Sequence, residues 1–185
     1  QSVSEWIRSA LHTYYRANNI LVPNPEELRK GVQRTTVEGA LTFPPVSGLY
    51  YGMKVLDFES LYPSCIDTFN LSYETVDCQH PRCRSNLVPS TEHYVCLEKR
   101  GVFSAFTGAL RDLRVRWYKP RARDPKLPQE EHMRCMLIAR LLKLLTVSCY
   151  GVTVRIRGLA SPILAESITA YGRYALRTTW RMAEE

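Results

Sequence analysis

The sequence predicts an α+β fold, and three stretches carry that prediction. The apolar run Met53-Lys54-Val55-Leu56 ends on Asp57 and turns at once through Ser60, the pattern of a strand that presents a side chain at its end. Two long helical patterns, 104–119 and 130–150, are separated by Arg123-Asp124-Pro125-Lys126-Leu127-Pro128, which suits an antiparallel helical hairpin. A last helical pattern runs from about Pro162 to Glu185, with its proline in the first turn, where no donor is lost.

Taken in order, residues 4–19 place Trp6, Ile7, Ala10, Leu11, Tyr14 and Tyr15 at helical spacing behind Ser4 as N-cap, with Asn18-Asn19 near the end. Pro23 and Pro25 stop that helix. Residues 20–47, which also hold Pro44 and Pro45, read as an extended connector around Val37-Glu38-Gly39-Ala40. The strand is expected over 50–57, followed by a turn and short helix over 60–70. Residues 78–96 are rich in Cys, His, Pro and Asn and read as a loop or small insertion. Gly151 is expected to close the second hairpin helix through a positive φ, with a short strand over 152–156 after it.

The chain has 185 residues, enough for one domain or two small ones, and is 45% hydrophobic and 23% charged, an ordinary globular composition. No uninterrupted apolar run approaches the roughly 18–20 residues of a membrane span, and no signal leader opens the chain, so no membrane association is expected. Gln1 opens the sequence and Glu185 closes a helical pattern, so a piece of a longer polypeptide is expected. The net charge of +7 favours polyanions. It is concentrated in Arg111, Arg114, Arg116, Lys119, Arg121 and Arg123, interleaved with Trp117 and Tyr118, a pattern shared by solvated helix faces and nucleic-acid contacts.

Asp57 opens the octapeptide Asp57-Phe58-Glu59-Ser60-Leu61-Tyr62-Pro63-Ser64, which resembles motif A of the B-family DNA polymerases. The resemblance implies that Asp57 binds magnesium, with the Phe58 carbonyl as a further oxygen ligand. Two such ions act in the complete enzyme, since nucleotidyl transfer uses a pair about 3.5–4 Å apart. It also implies that the amides of Ser60 and Leu61 hold phosphate oxygens and that Tyr62 rejects a 2′-hydroxyl. Lys143-Leu144-Leu145-Thr146-Val147-Ser148-Cys149-Tyr150-Gly151 resembles motif B, K-x-x-x-N-S-x-Y-G. Lys143 is thereby assigned to triphosphate charge and Tyr150 to the nascent base pair. The motif's Asn, a triphosphate donor, is Val147 here. Losing a donor to a charged group costs about 1.5–3 kcal/mol, so weaker nucleotide binding is expected.

On the outgoing helix Arg114 fits the family's first triphosphate base. Lys119 stands five residues on, which on an α-helix turns it about 140° away; Arg116 is the substitute. Thr169-Ala170-Tyr171-Gly172-Arg173 resembles the T-x-x-G-R motif that contacts DNA near the primer end. Gly39-Ala40 stands where many members carry a Gly-Gly linker. Gly39, Gly151, Thr169, Gly172 and Arg173 are thus the candidate DNA contacts. Residues 70–76 and 110–115 look like archaeal replicative enzymes of the crenarchaeal type.

The resemblance implies a partial palm built of an antiparallel sheet plus helices, with a two-helix fingers hairpin. Residues 1–35 would be a helix and connector from the exonuclease or N-terminal region. Residues 36–97 would be the first part of the palm with the Cys/His insertion 78–96, residues 98–151 the fingers, and 152–185 the incomplete second part of the palm. Motif C, of the form Y-G-D-T-D, has no counterpart between Gly151 and Glu185, so the chain alone is expected to be inactive. The implied partners are primer-template DNA and deoxynucleoside triphosphates, and a sliding clamp reached through regions outside this chain. The implied setting is cytoplasmic, at the nucleoid for an archaeal source. Two rivals stay open: a degenerate, non-catalytic polymerase-like protein that binds nucleic acid, and an unrelated zinc-dependent nucleic-acid module.

Cys78-x-His80-x-x-Cys83 and His93-x-x-Cys96 offer ligands for a tetrahedral zinc site, with Cys78, Cys83, His93 and Cys96 as the candidate set. Related archaeal polymerases have a disulfide in this region, which implies Cys83–Cys96 or Cys78–Cys96 as the rival. Zinc, disulfide and free thiols all remain open here. Cys65, Cys135 and Cys149 lie in apolar helical contexts and are expected in the core.

Overall fold

The computed structural model describes residues 2–22, 24, 26, 28, 39–155 and 158–184. The helices are α1 (Val3–Ala17), α2 (Leu61–Thr68), α3 (Val102–Asp112), a π-helical stretch over Leu113–Tyr118, the single turn α4 (Lys119–Arg121), α5 (Gln129–Arg155) and α6 (Pro162–Glu184). Pro81–Ser85 forms a short 3-10 turn.

The α+β expectation is overturned. Among the described residues there is no strand, only two isolated antiparallel bridges, Val76 to Val95 and Leu87 to Tyr94. Residues 50–57 carry the composition of a strand but have no partner. Met53, Val55 and Leu56 are 70%, 88% and 71% exposed. A strand exists only as part of a hydrogen-bonded ladder, and no described segment lies alongside to complete one.

The second expected strand, 152–156, is also overturned, because α5 continues through Gly151 to Arg155; Ile156 lies outside the described residues. The reason is the buried face. Leu142, Leu145, Cys149 and Val152 all point into the core, so the helical period carries on past the glycine. Positive φ among the glycines is found at Gly52 and Gly158, not at Gly151.

α1 begins two residues earlier than expected. Its N-cap is Ser2 rather than Ser4: the Ser2 hydroxyl accepts from the Glu5 amide at 3.2 Å and the Ser2 amide donates to Glu5 Oε2 at 3.1 Å, a complete capping box. Asn18 caps the other end and Asn19 follows at φ 53°, so the helix is closed before Pro23 and Pro25. Those prolines, and Val37-Glu38 of the connector, lie outside the described residues.

The core takes Ile7, Leu11 and Tyr15 from α1, Ile66 from α2, Phe103 from α3, Cys149 and Val152 from α5, and Leu164 and Ile168 from α6. Cys65, Cys135 and Cys149 are buried as expected. By length and composition α5 would be long and apolar enough to cross a membrane. Here it packs on α1, α2, α3 and α6.

The start of α3 is built by residues 70–76. Gly101 supplies no side-chain cap. The orphan amides are instead taken by Glu74, which accepts from Val102, and by the Ser72 hydroxyl, which accepts from Phe103 at 3.0 Å. Asn70 bridges the corner, accepting from the Gly101 amide at 2.8 Å and donating to the Lys99 and Cys96 carbonyls at 2.7 and 3.1 Å. Only glycine fits at 101, since a Cβ there would lie 2.3 Å from Ser72 Cβ. This corner sets the direction of the outgoing hairpin helix, and with it the position of Arg114.

Candidate active site

Asp57 lies at the end of the extended segment and leads through Phe58 and Glu59 into Ser60, the N-cap of α2. Ser60 adopts φ 62°, ψ 54°. A left-handed non-glycine residue is held against a steric cost of about 1–3 kcal/mol, and here the hold comes from both sides. The Ser60 carbonyl accepts from the Ser64 amide at 2.9 Å, and its hydroxyl accepts from Arg114 Nη1 at 3.1 Å. The turn thus points the first amides of α2 and the Asp57 carboxylate toward one cleft.

That cleft encloses about 500 Å³ and is lined by Asp57, Phe58, Glu59, Ser60, Leu61, Tyr62, Pro63, Arg114, Lys119, Lys143, Thr146 and Val147, a size ordinary for a small-molecule site. Three chain segments meet there: the octapeptide, the outgoing hairpin helix and the returning helix α5. Lys119 pairs with Glu59, and this hydrogen bond, supported by the charges of Arg114 and Arg123, holds the Glu59 carboxyl below its ordinary range. Arg114, Lys119 and Lys143 against Asp57 and Glu59 leave a cationic wall beside one uncommitted carboxylate. Such a surface suits a polyphosphate carried with a hard cation.

Arg114 and Lys119 both line the cleft, contrary to the rotation expected of an α-helix. The π-helical stretch Leu113–Tyr118 is the reason. The Lys119 amide bonds to the Arg114 carbonyl, an i→i+5 closure that brings residues five apart onto one face. Arg116, the expected substitute, is 77% exposed and pairs with Asp112 at 3.4 Å.

Tyr62 projects from the first turn of α2 against Tyr150 of α5, with ring centroids 5.0 Å apart. Burial is the main reason both phenols titrate above their ordinary value. Gly172 of α6 makes room for this pair: a Cβ there would lie 2.7 Å from Tyr62 Cε1. The close approach at Gly172 is therefore made by the Tyr62 ring. Arg173 is buried, donating from Nη1 to the Gly39 carbonyl at 3.0 Å and to the Thr169 hydroxyl at 3.3 Å. Gly39, Thr169, Gly172 and Arg173 thus form one neighbourhood behind Tyr62. Gly151 is not part of it, and nothing lies within 4 Å of where its Cβ would be.

Sequence reasoning passed over several residues. Glu59 and Thr146, which were given no role of their own, line the cleft beside Val147, the motif B departure. Asp67 on α2 receives Arg111 of α3 at 2.6 Å and also Arg100, which ties α2 to the outgoing helix. The signal for that tie was Gly108, where a Cβ would lie 2.4 Å from Asp67 Oδ1.

Away from the cleft, Cys78, His80, Cys83 and Cys96 bring their ligand atoms within 4.8 Å of one another. The expected set is corrected at one position. His93 Nδ1 lies 2.7 Å from Asp77 and its Nε2 faces Glu166 at 3.8 Å, so the imidazole that lies among the three thiols is that of His80. The Asp77 hydrogen bond raises the His93 pKa above the ordinary value.

The sequence profile described as DNA polymerase family B matches residues 1–185. The chain is 35% identical over 196 residues to a protein named DNA polymerase 1 from Saccharolobus solfataricus, covering 99% of this chain and 22% of that relative. It is 36% identical over 195 residues to DNA polymerase 1 of Aeropyrum pernix, covering 99% of this chain and 20% of the relative. The chain spans about a fifth of the length of these curated relatives. In structure it resembles the family B DNA polymerase from the hyperthermophilic archaeon Pyrobaculum calidifontis, with a TM-score of 0.71 and 26% identity, covering 100% of this chain and 24% of that one.

Proposed function

The chain belongs to DNA polymerase family B, and from that membership we propose that it forms the palm and fingers portion of an enzyme that extends a DNA primer from deoxynucleoside triphosphates. The observation that carries this reading is the cleft in which Asp57, Ser60, Tyr62, Arg114, Lys119 and Lys143 meet from three segments. Residues 98–151 are the fingers, and residues 36–97 and 152–185 contribute the palm region around the cleft. Primer-template DNA and the nucleotide are the partners.

The donor set suits magnesium in part. Asp57 and the Phe58 carbonyl offer hard oxygen ligands, while Glu59 is committed to Lys119. When bound there, magnesium supplies charge neutralisation for the triphosphate and a lowered pKa at the attacking hydroxyl. The chain's own groups do the rest. Lys143 and Arg114 orient the triphosphate, and Lys119 exchanges Glu59 for phosphate as the nucleotide enters. Tyr62, backed by Tyr150 and fitted over Gly172, presents a fixed wall to the sugar. Asp57 and the Phe58 carbonyl alone leave a pair of ions short of hard protein ligands, and the proposal assigns the missing ones to the intact enzyme.

The test is nucleotide selection by the intact protein. Tyr62→Ala should raise incorporation of ribonucleotides relative to deoxynucleotides, and Lys143→Ala should raise the KM for both. Unchanged sugar discrimination in Tyr62→Ala would overturn the assignment of the wall.

A further inference from the structure

We propose that Cys78, His80, Cys83 and Cys96 form a tetrahedral site for one structural zinc ion, which staples the loop 78–96 to the start of the outgoing hairpin helix. This goes beyond the polymerase reading and does not depend on it.

Geometry is the first support. Zinc–sulfur bonds of about 2.3 Å at tetrahedral angles put sulfurs about 3.8 Å apart, and a sulfur and an imidazole nitrogen slightly closer. Here the four ligand atoms lie within 4.8 Å of one another, and Cys96 Sγ is 3.4 Å from His80 Nδ1. A disulfide would use two of these sulfurs and leave the other thiol and the imidazole without a purpose in common. The donor set of three thiols and an imidazole is soft, so it favours zinc over magnesium.

The surroundings are the second support. His80 turns Nδ1 to the sulfurs, and its other nitrogen, Nε2, faces Glu98 Oε2 at 3.7 Å, longer than a hydrogen bond but on the side where a carboxylate partner of a ligand imidazole stands. The Leu97 amide donates to Cys83 Sγ at 3.2 Å, a contact that suits a thiolate. Zinc binding is a proton exchange without a redox change: three thiols release their protons to solvent as three zinc–sulfur bonds form, and His80 binds as the neutral ring.

The packing of the loop leaves a place for such a device. Val88 and Val95 anchor the loop in the main core, whereas Cys78, Cys83 and Cys96, with Tyr94 packed against them, form a separate buried cluster. The loop backbone makes turn and bridge hydrogen bonds but no ladder among the described residues. A cluster of three thiols and one tyrosine ring is the kind of small unit that a metal or cross-link holds together. The staple acts on the hairpin through Asn70, which donates to the Cys96 and Lys99 carbonyls and accepts from the Gly101 amide.

The test is metal analysis of the intact protein purified under reducing conditions without chelator. One zinc per chain is expected, and cobalt in its place should show the absorption bands of a tetrahedral thiolate site. His80→Ala and Cys83→Ser should each lower zinc affinity by more than the roughly 10–100-fold that loss of an outer partner costs, while His93→Ala should keep the metal. Removing zinc should lower the melting temperature and open residues 78–96 to proteolysis. The proposal is overturned by a metal-free protein of unchanged stability, by two thiols missing from a thiol count without reductant, by bound iron in place of zinc, or by equal loss in His93→Ala and His80→Ala.

Discussion

At the scale of single residues, Val147 and Gly172 make the sharpest statements. Val147 lines the cleft and is 63% exposed there, at the position where the family motif has a triphosphate donor. Val147→Asn restores that donor, worth about 1.5–3 kcal/mol to a charged group, so nucleotide affinity should rise by about one to two decades, read as KM in primer extension. Gly172→Ala drives a methyl into the Tyr62 ring; the overpacking should cost about 1–3 kcal/mol, read by thermal or urea unfolding. Gly151→Ala meets open space and should be neutral or stabilising by up to about 1 kcal/mol. The buried thiols give a pH signature. Burial pushes Cys65 and Cys149 from an ordinary value of 9.0 up to about 11. In that window the folded chain keeps protons the unfolded chain releases, so stability falls as pH rises through it. Urea midpoints at about pH 8.5 and about pH 10.5 should differ less in Cys65→Ala/Cys149→Ala than in the parent.

At the scale of elements, the π-helical stretch explains how residues of awkward spacing serve one site. Deleting Val115 should turn the i→i+5 closure into an i→i+4 one and keep Arg114 and Lys119 on one face, so nucleotide KM should change little. Inserting an alanine after Val115 rotates Lys119 by about a further 100° and should raise KM markedly. The sequence read well where periodicity ran long: α1, the hairpin and α6 all stand where the apolar spacing put them. It misled at short apolar runs. Residues 50–57 have strand composition but no strand partner among the described residues, and 152–155 look alternating in isolation yet extend the buried face of α5. Short stretches of this kind are decided by what packs against them, which periodicity does not record. The π-turn had no local signature, and its only trace was the five-residue gap between two bases that need one face.

At the scale of the molecule, residues far apart in the chain converge because 70–76 cap α3 and Asp67 ties α2 to it through Arg111. The octapeptide made the cleft legible in advance, since Asp57, Ser60, Leu61 and Tyr62 are adjacent in sequence. The Cys/His cluster was legible only to within a choice of histidine, because His80 and His93 are both near the cysteines in sequence and only the fold separates them. We propose that in the intact protein this cleft holds the nucleotide and its metal. The most direct test is single-turnover primer extension with magnesium by the intact protein, comparing the parent with Asp57→Asn alongside DNA-binding affinity. Extension by the parent and its loss in Asp57→Asn are expected, with DNA binding retained in both. An extension rate unchanged by Asp57→Asn would contradict that proposal, as would a parent that binds primer-template DNA and extends nothing.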